Sequence, residues 1–175
     1  MPDKKFDCNI YGEDKILIAF LIDPTRSDAE IAKALGTYRQ KVWRRRKQLE
    51  EDKAIWGYTA VIDDSKFNHV SYMILMKTKT MNKDLVELLV QRISSGEPAR
   101  QNIRLKNMCY VNGEYDWVMR FTAPDHATAR KYYETIRLLY SEHLQEKPIL
   151  IDVNMCLVSE GKKNPNLNQL FDYVP

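Results

Sequence analysis

A run of nine residues, 39–47, reads RQKVWRRRK and carries six positive charges with no acidic residue among them. Side chains of this type can bind the phosphates of nucleic acid, and arginine can also donate a pair of hydrogen bonds to the edge of guanine. A solvated helix face would carry the same charges, so the run alone leaves both interpretations open. The formal net charge of the 175-residue chain is only +3, which means that the positive charge is concentrated locally.

The residues before the basic run predict two helices. Apolar residues at helical spacing predict a first helix over 13–22, and the Asp-Pro pair that follows ends it. Ser27 with Glu30 three positions later is the pattern of a capping box, in which each side chain satisfies a backbone N–H of the other residue. A second helix is therefore expected over 28–35.

The basic run itself lies on a third helix, predicted over 37–52. Gly36 separates it from the second helix, at a point where a helix end needs a residue that tolerates positive φ. Val42 and Leu49 should face inward and the basic residues outward. This arrangement is a helix-turn-helix, whose second helix enters the major groove of DNA. Residues 55–63 are predicted to form a strand that would serve as a wing or a connector.

The candidates for contacting DNA are polar or aromatic side chains at the start and on the outer face of the third helix. Basic members would meet phosphates or base edges, and the helix start would approach the DNA backbone. A plain helical hairpin is the competing interpretation, and the basic third helix favours DNA binding over it. The candidate residues are Thr37, Tyr38, Arg39, Gln40, Lys41, Arg44 and Lys47.

The rest of the chain predicts an α+β domain. Residues 112–113, Asn-Gly, lie between two alternating runs and predict a hairpin with a type I′ turn. A βαββαβ order of this kind folds as a ferredoxin-like antiparallel sheet with both helices on one face. The predicted elements are a strand over 69–80, a helix over 82–94, strands over 103–111 and 115–122, a helix over 124–144 and a strand over 149–158.

The other face of this sheet would be bare, although the strand over 69–80 is apolar on both sides. A second copy of the chain is the simplest cover, so a homodimer with twofold symmetry is expected. The predicted organisation is a winged helix-turn-helix domain over 1–63, a linker over 64–68, a ferredoxin-like domain for dimerisation and ligand sensing over 69–158, and a loosely ordered C-terminal tail over 159–175.

Residues 14–63 resemble the DNA-binding half of the Lrp/AsnC (leucine-responsive, feast/famine) transcriptional regulators. The family's pattern has a D-x-x-I-L helix, R-x-S-x-x-E-[IL]-A, L-G, an R-x-x-x-L-E recognition helix and an [IL]-x-G-Y strand. This chain supplies Asp14, Ile16-Leu17, Arg26, Asp28, Glu30-Ile31-Ala32, Leu35-Gly36, Arg45, Leu49-Glu50 and Ile55-x-Gly57-Tyr58.

The resemblance implies roles for particular residues. It implies that Arg45 braces the domain rather than contacting DNA. Tyr38 stands where the family usually has Ser at the start of the recognition helix, so Thr37 is expected to take over the cap and Tyr38 to lie against the DNA backbone. Lys53 stands where the family usually has Gly.

The turn over 111–116, VNGEYD, is similar to the family's [VT]-x-G-x-[YW]-D turn, which in relatives lies near an effector pocket formed between dimers. The resemblance therefore implies a small-molecule effector such as an amino acid, and assembly into tetramers or octamers. Gly113, Tyr115 and Asp116 are the candidate effector-binding residues, because a glycine permits close approach and a carboxylate receives an ammonium group. The alternative is that Gly113 only serves the turn and Asp116 only bonds nearby backbone.

An enzyme of the same two-domain plan is the alternative function. Siroheme decarboxylases carry a His/Tyr/Arg cluster in the hairpin, whereas His69, His126 and His143 are dispersed here. No catalytic residue, cofactor or metal site is predicted, since the three cysteines are scattered and no phosphate-binding loop occurs. Without an apolar signal region or a span of about 20 apolar residues, the chain is expected in the cytoplasm and not in a membrane.

Overall fold

A computed structural model describes residue 12 and residues 14–175 of the chain. The chain divides into two compact units, residues 1–60 and residues 61–175. The start of the first predicted helix, residue 13, and Cys8 lie outside the described residues.

The N-terminal unit contains the three predicted helices, α1 (Lys15–Ile22), α2 (Asp28–Ala34) and α3 (Arg39–Glu51). Asp14 caps α1 by accepting a hydrogen bond from the backbone N–H of Leu17, and α1 ends at Asp23 as predicted. The inward positions predicted for α3 are confirmed, because Val42 and Leu49 are both buried. The core of this unit consists of Ile16, Ala19, Phe20, Ile31, Ala32 and Val42, with Leu35 and Ile55 packed against it.

The strand predicted over 55–63 is wrong, because these residues belong to no strand. A strand needs a neighbour for its backbone N–H and C=O groups, and the described part of the N-terminal unit offers residues 55–60 no strand to pair with. The segment is held by side chains instead. The hydroxyl of Tyr58 donates a hydrogen bond of 2.9 Å to Oε1 of Glu50 on α3.

The turn after α3 forces Lys53 into the left-handed region, with φ of 56°. The left-handed conformation costs a residue with a Cβ about 1 kcal/mol of conformational free energy, and glycine adopts it without this cost. We therefore expect Lys53→Gly to raise the free energy of unfolding of this unit by roughly 0.5–1 kcal/mol. Chemical denaturation checks this, with Lys33→Gly inside α2 as the control that should destabilise. Unchanged or lower stability in Lys53→Gly would contradict the strain.

The C-terminal unit is the predicted α+β domain. Its main sheet has the order β2-β3-β1-β4 with every neighbouring pair antiparallel, the arrangement expected of a ferredoxin-like fold. A short α5 between α4 and β2 was not predicted. The elements are β1 (Val70–Met76), α4 (Lys83–Ser94), α5 (Glu97–Arg100), β2 (Arg104–Tyr110), β3 (Trp117–Ala123), α6 (His126–Leu139) and β4 (Ile149–Asp152).

Both long helices cover one face of this sheet. The largest fully buried side chains there include Tyr72 on β1, Phe121 on β3 and Tyr132 on α6. The Phe121 ring stacks on Tyr72 and meets Tyr132 edge-on, at centroid distances of 5.9 and 5.1 Å. Asn82 and Asp125 accept backbone hydrogen bonds at the starts of α4 and α6. On the opposite face no long helix of the described residues packs against the sheet, and Ile149 and Ile151 of β4 are exposed there.

A charged residue, Arg92, also lies in this core. Its Nε is 3.0 Å from Oε2 of Glu97, and its guanidinium carbon lies 5.6 Å from the centroid of the Tyr132 ring. The apolar Ile93 beside it is exposed, while Arg92 is buried. The carboxylate of Glu97 and the ring of Tyr132 stabilise the buried guanidinium, so α4 can direct Arg92 toward the sheet.

Other local predictions in this unit are wrong, among them the end of α6, which lies at Leu139 instead of 144. Neither Asn112 nor Gly113 has positive φ, so the turn is not type I′. The backbone N–H of Val111 instead donates to the carbonyl of Asp116, at 2.8 Å, which leaves four residues in the loop rather than two. The last strand ends at Asp152 instead of 158, and the N–H of Val153 makes one further bond to β1, donating to the carbonyl of Ser71 at 2.9 Å.

The segments on either side of the domain are more structured than predicted. The linker over 64–68 contains a 3₁₀ helix, Asp64–Phe67. Asp64 pairs with Lys106 on β2 at 2.5 Å, and with Arg104 at 3.6 Å. The segment over 159–175 contributes to a two-stranded sheet, β5 (Val158–Ser159) with β6 (Lys162–Lys163), and to a second 3₁₀ helix, Leu167–Tyr173.

Candidate nucleic-acid interface

The turn between α2 and α3 fixes how the basic helix is presented. The predicted capping box is present: Ser27 Oγ accepts from the N–H of Glu30, and Oε2 of Glu30 accepts from the N–H of Ser27. Gly36 has φ of 63°, and the N–H of Thr37 donates to the carbonyl of Ala32 at 2.9 Å. Thr37 does not cap α3, because the residue at the cap is Tyr38, which makes no side-chain cap hydrogen bond.

Arg45 braces the N-terminal unit, as the family resemblance implies. Its Nε donates to Oδ2 of Asp14 at 2.8 Å and its Nη2 lies 2.7 Å from the same oxygen. Its Nη1 donates to Oε1 of Gln48, also at 2.8 Å. The guanidinium therefore joins α3 to the start of α1 and is directed away from the outer face of the helix.

Arg46 is also used inside the unit. Its Nη2 lies 2.7 Å from Oδ1 of Asp28 on α2, and its guanidinium carbon lies 4.5 Å from the centroid of the Phe20 ring. The ring of Tyr58 lies on the same guanidinium at 5.9 Å. Burial raises the pKa of Tyr58, and the hydrogen bond to Glu50 raises it further. Two of the six charges in the basic run thus hold the helices together.

The remaining four charges lie on exposed side chains. With about 100° per residue, Gln40, Arg44 and Lys47 project from the side of α3 opposite the buried Val42. Arg39 and Lys41 lie toward the two flanks of that outer face and are exposed as well. Among the described residues, none of these four cations has an acidic partner within ion-pair distance. They are Arg39, Lys41, Arg44 and Lys47.

The start of α3 adds to this positive surface. Its first turn contains no acidic residue, so the partial positive charge of the helix N-terminus is not neutralised there. Tyr38 is 69% exposed at this end, and Thr37 is half-buried beside it. The seven predicted DNA-contacting residues therefore lie together on the exposed surface formed by α3 and its preceding turn.

A cleft of about 460 Å³ runs between α3 and the start of α1. Lys41 and Arg44 line it from α3, and Lys15 lines it from α1. Lys15 was missed by the sequence analysis, because only the packing of α1 against α3 brings it beside the basic helix. The cleft therefore continues the cationic surface beyond the recognition helix.

Trp43 was also missed. Its side chain is 46% exposed on α3, and Nζ of Lys47 lies 5.3 Å from the centroid of its ring. An aromatic residue at this spacing is equally compatible with a core position in the sequence. Its exposure is a property of the fold, so no signal in the sequence alone would have found it.

The predicted effector residues lie in the loop between β2 and β3 of the C-terminal unit. Gly113 is exposed, whereas Tyr115 and Asp116 are half-buried. Oδ2 of Asp116 accepts hydrogen bonds from the backbone N–H of Thr78 at 2.6 Å and from its hydroxyl at 3.0 Å. Asp116 thus fastens the loop to the end of β1, which is the simpler of its two predicted roles.

The three histidines remain apart in the C-terminal unit. Nδ1 of His126 lies 2.6 Å from the hydroxyl of the buried Tyr72, which ties the start of α6 to β1. Nδ1 of His69 bonds the carbonyl of Phe67. Within the described ranges, no group of three or more His, Cys, Asp or Glu side chains could hold a metal ion. The helices of residues 14–175 include none with the length and apolar character of a membrane span.

Comparison of the sequence with protein-family models finds no match, and the search of curated proteins finds none. Comparison with solved structures does find similar folds. An AsnC family transcriptional regulator from Agrobacterium tumefaciens aligns with a TM-score of 0.63 at 20% identity, over 92% of this chain and 96% of its own.

Two further solved structures are similar over nearly their whole length. The leucine response regulatory protein LrpA of Mycobacterium tuberculosis has a TM-score of 0.65 at 16% identity, over 86% of this chain and 96% of its own. A transcriptional regulator from Neisseria meningitidis, solved in complex with L-Met, has a TM-score of 0.62 at 19% identity, over 89% and 95%. The chain therefore shares the two-unit fold of the Lrp/AsnC transcriptional regulators, the family that its sequence resembles.

Proposed function

We propose that the chain is a sequence-specific DNA-binding transcriptional regulator of the cytoplasm. The observation that carries this proposal is that the cations of α3 fall into two groups, one bound inside the unit and one exposed. Arg45 and Arg46 are engaged inside the unit, whereas four further cations project from the helix without an acidic partner among the described residues. Exposed like charges repel one another, so such a surface is costly unless a polyanion binds it. Residues 1–63 would bind DNA, and residues 69–158 would assemble the protein and sense a ligand.

The direct test is a salt titration of DNA binding by the full chain. Fluorescence anisotropy with a labelled duplex measures affinity as a function of salt, and each phosphate contact contributes about one unit to the slope of log K against log salt. A duplex obtained by selection from random sequences, compared with a scrambled duplex, measures specificity. Equal affinity for the two duplexes would contradict a sequence-specific regulator.

We propose that the regulator is a homodimer formed through the uncovered face of the main sheet. Leu75 on β1, flanked by Val118 on β3 and Ile149 on β4, makes an apolar row across three strands of that face. A second copy of the chain would cover this apolar row. Two recognition helices would then read half-sites about 10–10.5 bp apart, or a multiple of that.

We also propose that a small molecule such as an amino acid shifts this dimer toward a tetramer or octamer, through Gly113, Tyr115 and Asp116. The similar Neisseria protein was solved with L-Met, which makes L-Met the first probe. Because Asp116 holds Thr78, Asp116→Ala would also remove a structural hydrogen bond. Asp116→Asn is the sharper variant, since its amide oxygen still accepts from Thr78 while the negative charge is lost.

Asp116→Asn should weaken binding of L-Met by roughly tenfold or more, because a hydrogen bond to a charged group contributes about 1.5–3 kcal/mol. Calorimetry measures the affinity, and sedimentation velocity measures the shift in assembly that the ligand causes. Glu114→Gln removes a neighbouring exposed carboxylate and should leave both unchanged. If a panel of amino acids gives neither heat nor a change in assembly with the unmodified chain, the effector proposal is wrong.

The alternative function, a siroheme decarboxylase, is tested by measuring tetrapyrrole binding. A siroheme decarboxylase would bind a coloured tetrapyrrole, so the chain titrated with siroheme would shift its visible absorbance at micromolar concentration. We expect no such shift. The three histidines of this fold lie apart, and Nδ1 of His126 is hydrogen-bonded to the hydroxyl of Tyr72.

A further inference from the structure

Trp43 lies at the flank of the outer face of α3, beside groups that would meet DNA. It is about 100° around the helix from the buried Val42, which turns it toward the side of Lys47 and Gln40. Along the ridge of positions four apart, it stands between Arg39 and Lys47. If the basic helix enters a major groove, the indole enters with it.

The side chain of Trp43 is exposed to solvent and is not part of the core. Nearly half of it is exposed, while Nζ of Lys47 lies over its ring at 5.3 Å. A cation over the face of an aromatic ring is attracted by the ring, which favours this arrangement of the two side chains. Two exposed groups of different character, one apolar and one cationic, are therefore presented side by side.

We propose that Trp43 is a specificity-determining residue that recognises thymine by packing against its C5-methyl group. The edges of bases in the major groove consist of hydrogen-bond donors and acceptors, and the thymine methyl is the prominent apolar group among them. An indole moved from water into the groove gains free energy where it meets apolar surface. Lys47, held against the same ring, would reach a phosphate or the acceptors of an adjacent base pair. This inference rests on the proposed function.

The test uses the full chain and a duplex selected by it from random sequences. Each thymine of the duplex is replaced singly by deoxyuridine, which removes the methyl group and keeps the hydrogen-bonding edge. At one position in each half-site we expect about fourfold weaker binding, the effect of about one buried methyl group. In Trp43→Ala the same replacement should have no effect. Introducing 5-methylcytosine opposite guanine at other positions serves as a check that methylation alone does not raise affinity.

The matched control is Trp56→Ala, which truncates a 95% exposed tryptophan outside α3. It should keep the fourfold dependence on the methyl group. The inference is overturned if Trp43→Ala retains the dependence on the methyl group. It is also overturned if Trp43→Ala weakens binding to the selected and the scrambled duplex by the same factor, because the indole would then contact the DNA backbone or no DNA. Salt-dependent, specific binding without dependence on any thymine methyl overturns this inference alone, whereas absence of specific binding overturns the proposed function as well.

Discussion

A variant without the four exposed cations of α3 should lose operator binding at physiological salt while keeping its fold. Each cation that contacts a phosphate contributes about one unit to the slope of log K against log salt, and each that contacts a base contributes roughly 1–3 kcal/mol. Together they supply most of the electrostatic attraction that the helix offers. The variant carries alanine at Arg39, Lys41, Arg44 and Lys47.

The fold should survive because these side chains are exposed and make no ion pair with any described acidic residue. Surface changes of this kind alter the free energy of unfolding by about 0.5 kcal/mol or less each. A control with the same loss of charge replaces exposed cations of the other unit, Lys66, Arg100, Lys131 and Lys147. Anisotropy titrations measure the affinity of both variants for the operator duplex. Undiminished affinity in the α3 variant, or an equal loss of affinity in the control, would show that α3 is not the recognition helix.

The N-terminal helices could be predicted because their signals are local. A capping box needs only Ser27 and Glu30, three residues apart, and a helix end with positive φ needs only Gly36 at the right place. Both features are formed by residues within one turn of each other. The exposed cations of α3 followed from the same logic, since burial of Val42 fixes which side of the helix faces outward.

The errors arose where the outcome depends on distant partners. Residues 55–63 have the composition of a strand, but no strand of the described residues pairs with them. Asn112-Gly113 has the composition of a tight turn, but the loop is set by Asp116, which Thr78 on another segment holds in place. Lys15 and Trp43 were missed for the same reason, because the position of one and the exposure of the other follow from packing.

Dimerisation through the main sheet of the C-terminal unit can be tested by a single substitution. Leu75→Glu should convert the dimer to a monomer at micromolar concentration, because a carboxylate would be buried in the middle of the apolar row against the partner's face. The effective cost of burying an ion without a partner is several kcal/mol, which corresponds to a dissociation constant raised by at least about a hundredfold. Leu75 is half-exposed in its own unit, so the unit should remain folded, and circular dichroism checks this.

DNA binding should fall with the dimer. Two recognition helices on one assembly bind two half-sites as one event, and a linked second site raises affinity by about 10²–10⁴. Val90→Glu places the same charge on an exposed position of α4, in the helical layer opposite this face, and is the matched control. Sedimentation velocity and anisotropy should find Val90→Glu dimeric and fully active. A dimeric Leu75→Glu protein would exclude the uncovered sheet face as the interface. The exposed apolar side chains of α4, Val86, Val90 and Ile93, would then become a surface to test.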